Sequence, residues 1–235
     1  MEYISTCLKI AELAYYTIEK WDIKDVIYKQ FNSCMFDLVH VYHYYENDDL
    51  YISIRGSDCF SDILDDIDIY KVKFEELKDN DLYVHKGFYT DFCEMKKYIE
   101  EVINSKNINS IYITGHSKGS AIATLMSIYI ATIFNHIKIF NIGFGCPRVG
   151  CEKFVNYYNK LLSETTYLIR TEKDIVPQLP IYGYYDVTNQ YIIENDKLIP
   201  YIPKDSIKHI IHSDFEYHKL KYYKLMKLDN DKKVI

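Results

Sequence analysis

The chain has 235 residues, 48% of them hydrophobic and 26% charged, with a formal net charge of −6. That length and balance describe an ordinary globular protein, one domain over residues 1–235 with a sizeable buried core. The acidic balance argues against nucleic acid as a partner, since neutralising phosphates takes clustered Lys and Arg, and no run of 18 apolar residues is present to form a transmembrane segment.

The six cysteines (Cys7, Cys34, Cys59, Cys93, Cys146 and Cys151) are scattered, with no C-x-x-C pair. The first residues lack the basic start and long apolar stretch of a secretion signal. Together these predict reduced thiols, a cytoplasmic location and no metal site. The 25 tyrosines, beside abundant Ile, Lys and Asn, fit an AT-rich coding genome.

In chain order, Ile4, Cys7, Leu8, Ala11, Ala14, Tyr15 and Ile18 follow helical spacing and predict a helix packed on the core. Phe36–Tyr45 and Leu50–Arg55 are β-rich runs joined by Asn47-Asp48-Asp49, a hairpin. Asp81–His85 reads as a further strand. Thr90–Ser105 reads as a helix with Phe92, Met95, Ile99 and Val102 on one face. A strand then ends at Gly115 and a helix runs to about Phe134. Ile137–Phe144 follows as a strand, Glu152–Leu162 as a helix and Tyr167–Arg170 as a strand. Strand–helix–strand alternation predicts an α/β protein with a mostly parallel central sheet flanked by helices. Beyond Pro180, Tyr184–Ile193 and Lys197–Ile202 read as a terminal hairpin, and Phe215–Leu228 as a last helix.

The most informative segment is Gly115-His116-Ser117-Lys118-Gly119, a G-x-S-x-G pentapeptide between an apolar β-branched run and an apolar helix. A serine on so sharp a turn stands proud of the sheet at a helix N-terminus, where backbone N–H groups and the helix dipole favour developing negative charge. Ser117 is therefore read as a nucleophile rather than a turn residue. A serine hydroxyl needs an imidazole to take its proton, and the imidazole needs a carboxylate. Asp174 follows the strand Tyr167–Arg170, at the strand end where open α/β sheets carry their chemistry. Position alone leaves it either the acid or a loop residue capping a turn.

Several ordered motifs now resemble one family. IRGSD at Ile54–Asp58, VHKGF at Val84–Phe88, GHSKG at Gly115–Gly119, FGCPRVG at Phe144–Gly150 and RTEKDIVPQLP at Arg170–Pro180 are similar to motifs of the class 3 lipases. The likeness runs from Leu50 to about Tyr223. It implies an α/β-hydrolase fold and a serine carboxylic-ester hydrolase acting on acylglycerols or phospholipids, without metal or organic cofactor and with peripheral contact to lipid surfaces. It assigns Asp174 as the triad acid, and Ser57 with the backbone N–H of Lys118 as the oxyanion hole. The family histidine opens a terminal H-x-[LM]-x-x-Y. His218-Lys219-Leu220-Lys221-Tyr222-Tyr223 fits at both positions and is the preferred base. His212 keeps only the tyrosine, and His209 is the third candidate.

Three departures stand out. Lys118 replaces an apolar residue, Ile63 stands where a Trp is usual, and Asp186 stands where a histidine is frequent. Cys59–Asp68 occupies the place of the family lid, and its Phe60, Ile63, Leu64 and Ile67 alternate with acids as an amphipathic flap would. The same motifs are compatible with a non-catalytic lipase-like binding protein, or with a thioesterase or peptidase on this fold.

Overall fold

The computed structural model describes residues 2–33, 38–57, 70–77, 81–187, 190–194, 197–201 and 214–223. Eight strands form one sheet: β1 (Ile27–Phe31), β2 (Val39–Glu46), β3 (Asp49–Ile54), β6 (Ser110–His116), β7 (Lys138–Phe144), β8 (Thr166–Arg170), β9 (Gln190–Glu194) and β10 (Lys197–Pro200), neighbours in that order. The β3-β6-β7-β8-β9 stretch is parallel, and each edge is closed by antiparallel pairing. A separate ribbon pairs β4 (Lys71–Lys73) with β5 (Tyr83–His85). This is the mostly parallel sheet flanked by helices that the alternation predicts.

Alternation along each strand sorts two faces. Leu50, Ile52, Ile54, Ile111 and Ile113 point to one face, where they are buried in one apolar cluster with helix α2 (Lys86–Asn104), helix α3 (Lys118–Ile133) and helix α4 (Glu152–Leu162). Helix α3 is buried continuously from Lys118 to Ile130, which is why its sequence is apolar all round rather than striped. The opposite face carries α1 (Glu2–Leu13), whose Ile4, Cys7 and Ala11 bury against Ile142, Phe144 and Ile169. There Tyr44, Tyr51, Tyr112 and Phe140 are register partners on four adjacent strands and stack at ring separations of 4.9, 4.7 and 4.7 Å. Some of the tyrosines thus build a cross-strand ladder, a structural use that composition alone does not reveal.

Four expectations need correction. The first helix stops at Leu13, and Ile18 is exposed in a short 3₁₀ turn. Helix α2 starts at Lys86, not near Thr90, because the His85 side chain caps it by accepting from the Phe88 N–H. The terminal hairpin begins at Gln190, and Tyr185 instead bridges to Gly150. Phe215–His218 and Leu220–Tyr222 are separate 3₁₀ turns rather than the start of a long helix. Strand β1 was not anticipated: IYKQF is an exposed edge strand with no buried face to impose alternation. Cys59–Asp68, His209 and His212 lie outside the described residues.

Candidate active site

Parallel strands β3, β6, β7 and β8 end together, and the candidate residues follow those ends. Ser117 sits between β6 and α3 at φ 58°, ψ −128°, a conformation that L-residues rarely adopt. Its neighbours hold it there. The Ser117 N–H donates to Phe144 O at 2.9 Å, and its carbonyl accepts from Ser120 N–H at 2.9 Å and Ala121 N–H at 3.2 Å. A Cβ on Gly119 would lie 2.1 Å from the Ile54 carbonyl oxygen, and one on Gly115 would lie 2.5 Å from Gly119 C. Strand and helix therefore approach closely only because both positions lack a side chain. The Ser117 hydroxyl is buried and has no hydrogen-bond partner among the described residues, an uncommon state for a buried polar atom.

Asp174 lies just past β8 and is fully buried. Its Oδ1 accepts from the Val176 N–H at 2.9 Å. Its Oδ2 accepts from the Tyr223 hydroxyl at 2.8 Å and lies 2.7 Å from His218 Nδ1. With a carboxylate there, Nδ1 carries the proton and Nε2 is left as the basic nitrogen. The segment carrying His218 is tied down by the Asp214 N–H donating to Lys173 O (2.9 Å) and by the Thr171 hydroxyl donating to Tyr217 O (3.1 Å). Burial, then the charge of Asp174, raises the Tyr223 phenol well above its ordinary range, so it stays a donor to the carboxylate.

His218 lies over the elbow. Its ring is 4.4 Å from that of His116, and a Cβ on Gly145 would lie 2.6 Å from His218 Cε1. His116 is buried, and burial followed by the neighbouring His218 lowers its pKa well below the ordinary value, so it is neutral. Its Nε2–H donates to the His218 carbonyl at 2.7 Å, which leaves Nδ1 to accept from the Tyr15 hydroxyl at 2.9 Å. Ser57 is buried beyond β3, next to a backbone that touches the nucleophile: a Cβ on Gly56 would lie 3.3 Å from that of Ser117.

The structure thus gathers Ser117, Lys118, Ser57, Asp174 and His218 at one end of the sheet. Asp186 is held elsewhere, by two 3.2 Å contacts from Arg148. Sequence reasoning missed the supporting roles of His116, Tyr15 and Tyr223. Only Tyr223 had a signal, its place in the H-x-[LM]-x-x-Y pattern. The Lys118 side chain was also unforeseen: it is buried and paired with Asp91 on α2 at 3.3 Å. Among the described residues no group of three or more His, Cys, Asp or Glu converges as metal ligands would, and no helix is long and apolar enough to cross a membrane.

A family model described as lipase (class 3) matches residues 51–183. The secreted mono- and diacylglycerol lipase MDL3 of Malassezia globosa is 28% identical over 159 residues, 63% of this chain and 52% of that protein. The phospholipase A1-II 1 of Oryza sativa subsp. japonica is 28% identical over 177 residues, 66% of this chain and 45% of that protein. The chain therefore spans about half the length of these curated relatives. The solved structure of Rhizomucor miehei triacylglyceride lipase superposes with a TM-score of 0.75 at 21% identity, covering 92% of each chain. At that identity the likeness carries the α/β-hydrolase fold alone.

Proposed function

Because the chain belongs to the class 3 lipases, carboxylic-ester hydrolases on the α/β-hydrolase fold, through a family match over residues 51–183, we propose that it hydrolyses lipid esters by serine catalysis. The observation that carries this reading is the buried Asp174–His218 contact of 2.7 Å laid over the strained Ser117 turn.

In the proposed mechanism His218 Nε2 takes the Ser117 proton as Oγ attacks the ester carbonyl. Asp174 fixes the imidazole tautomer and stabilises the imidazolium that forms. The developing oxyanion is met by the Lys118 N–H, the first of α3, and by Ser57. Collapse expels the alcohol, protonated by His218, and leaves an acyl-Ser117 ester. Water, deprotonated by His218, then releases the fatty acid and restores the hydroxyl. The substrates are acylglycerols or phospholipids, in line with the printed names of the two curated relatives, and the enzyme works at lipid surfaces. A cytoplasmic location suits Cys7, Cys93, Cys146 and Cys151, which are free thiols. The Malassezia relative is named as secreted, so fractionation of the source cells decides this point.

The test is labelling with a fluorophosphonate probe, which reports an activated serine whatever the substrate. Wild type should label and hydrolyse short-chain p-nitrophenyl esters, and folded Ser117→Ala should do neither. A wild-type protein that does not label would instead be a non-catalytic lipase-fold binding protein.

A further inference from the structure

Lys118 occupies two places at once. Its backbone N–H is the first of α3 and, on the proposed function on which this inference rests, the donor that meets the oxyanion. Its side chain runs the other way into a polar cluster. Lys118 Nζ is 3.3 Å from Asp91 Oδ2, and the two side chains are only 1% and 0% exposed. Lys118 Nζ also donates to the Ser33 hydroxyl at 3.3 Å, and that hydroxyl shares its proton between the two Asp91 carboxylate oxygens at 2.9 and 3.0 Å. One side chain thus joins the start of α3 to the second turn of α2 and to the chain just after β1.

Stability alone does not account for this cluster. Two charges withdrawn from water carry a desolvation cost that a pair of apolar side chains of like size would avoid. A charged hydrogen-bonded pair adds distance and direction, which apolar contact does not. Direction is what this position requires. The plane of the 117–118 peptide, and so the aim of the Lys118 N–H, is set by the strained ψ of Ser117. Such a torsion persists only where the surroundings over-determine it. Gly115 and Gly119 fix the chain on either side of the peptide, and the Lys118 anchor fixes its far end. We propose that Lys118, through its buried pair with Asp91 and its hydrogen bond to Ser33, is a positioning residue that holds the oxyanion-binding N–H in register with Ser117.

Lys118→Met, Asp91→Asn and the double variant Lys118→Met/Asp91→Leu test this, with kcat and KM on p-nitrophenyl butyrate and the thermal midpoint measured for each. The double variant is the informative one, because it removes both charges of the pair together. Losing an oxyanion donor outright typically costs about 10²–10³ in turnover. A misaimed one should lower kcat by about 10–100-fold, with KM within about twofold of wild type. That loss should persist in a double variant that melts near the wild-type temperature. Asp91→Asn retains an oxygen to accept from Lys118 and should lose less. Wild-type kcat in the folded double variant would overturn the proposal and leave the cluster a packing feature. If the double variant does not fold, Asp91→Asn decides: reduced kcat at constant KM supports positioning, and wild-type kcat overturns it. Ser117→Ala assayed alongside separates the two levels, since hydrolysis surviving there would refute serine catalysis itself, whatever the cluster does.

Discussion

At the elbow, Ser117 is fixed largely by its own stretch of chain, with Ile54 and Phe144 of the neighbouring strands against it: Gly115 and Gly119 let strand and helix touch, and Ser120 and Ala121 close hydrogen bonds back onto the serine carbonyl. At the other side of the site, residues 214–223 form only two short 3₁₀ turns. What orients His218 there comes from residues about a hundred or more than forty positions away: His116 against its carbonyl, Asp174 against its ring, and Thr171 and Lys173 against the flanking backbone. One half of the site is mainly a local solution to a steric problem, and the other is a sum of tertiary bonds. Local geometry should fail abruptly when one atom is added, whereas the tertiary half should weaken by degrees unless the reacting group itself is removed.

The largest expected effect breaks the second half at that group. Triad members act as a unit, so folded His218→Ala should lose turnover on the order of 10⁶-fold, about as much as Ser117→Ala. Asp174→Asn keeps the shape but supports the wrong imidazole tautomer, and should cost about 10⁴-fold. Steady-state kinetics of the folded variants, with His212→Ala retaining most activity, check the assignment. An active His218→Ala beside an inactive His212→Ala would transfer the role of base to His212.

A smaller effect, read in stability, sharpens the local half. Gly119→Ala should gain up to about 1 kcal/mol in helix propensity. Against this, its Cβ would stand 2.1 Å from the Ile54 carbonyl oxygen, a backbone atom that cannot swing aside. Overpacking of this kind costs about 1–3 kcal/mol or more, so strain wins and the variant should be destabilised and inactive. Chemical denaturation gives the sign directly. A more stable Gly119→Ala would show that the close approach is not what holds the turn.

The same contrast explains what could be read from the chain. The GHSKG elbow was legible because its signature, a serine between two glycines, lies within five residues even though Ile54 and Phe144 complete the packing around it, and helix Glu152–Leu162 because its apolar stripe packs one face on the core. The C-terminal turns read as a helix in the sequence, but Leu220 and Tyr223 are placed by their contacts with the α1 side of the sheet, which no local pattern reports. Asp174 was ambiguous from position alone, since a loop carboxylate looks the same whether or not an imidazole and a phenol converge on it. The Lys118 side chain was opaque for a related reason: Asp91 and Ser33 lie 27 and 85 residues away in sequence, and no local pattern marks them as partners.

Tyr223 tests how gradual the tertiary half is. Its hydroxyl is one of three donors on the Asp174 carboxylate among the described residues, with the Val176 N–H and the His218 ring, and of these three the one that takes no part in the backbone or the proton transfer. Tyr223→Phe keeps the ring, which is buried against Phe144 and the helix α1 residues Ile4 and Cys7, so little packing should be lost. What goes is a hydrogen bond to a charged group, worth about 1.5–3 kcal/mol in buried settings. Two donors remain on the carboxylate, and the imidazole keeps its partner, so the loss should fall mainly on stability. Thermal unfolding should show a drop near the lower end of that range, and turnover should fall by about tenfold or less, because His218 still meets an oriented carboxylate. A loss approaching that of Asp174→Asn would mean that the phenol, not the backbone and the imidazole, sets the carboxylate in place, and the histidine half would then hinge on one atom as sharply as the elbow does.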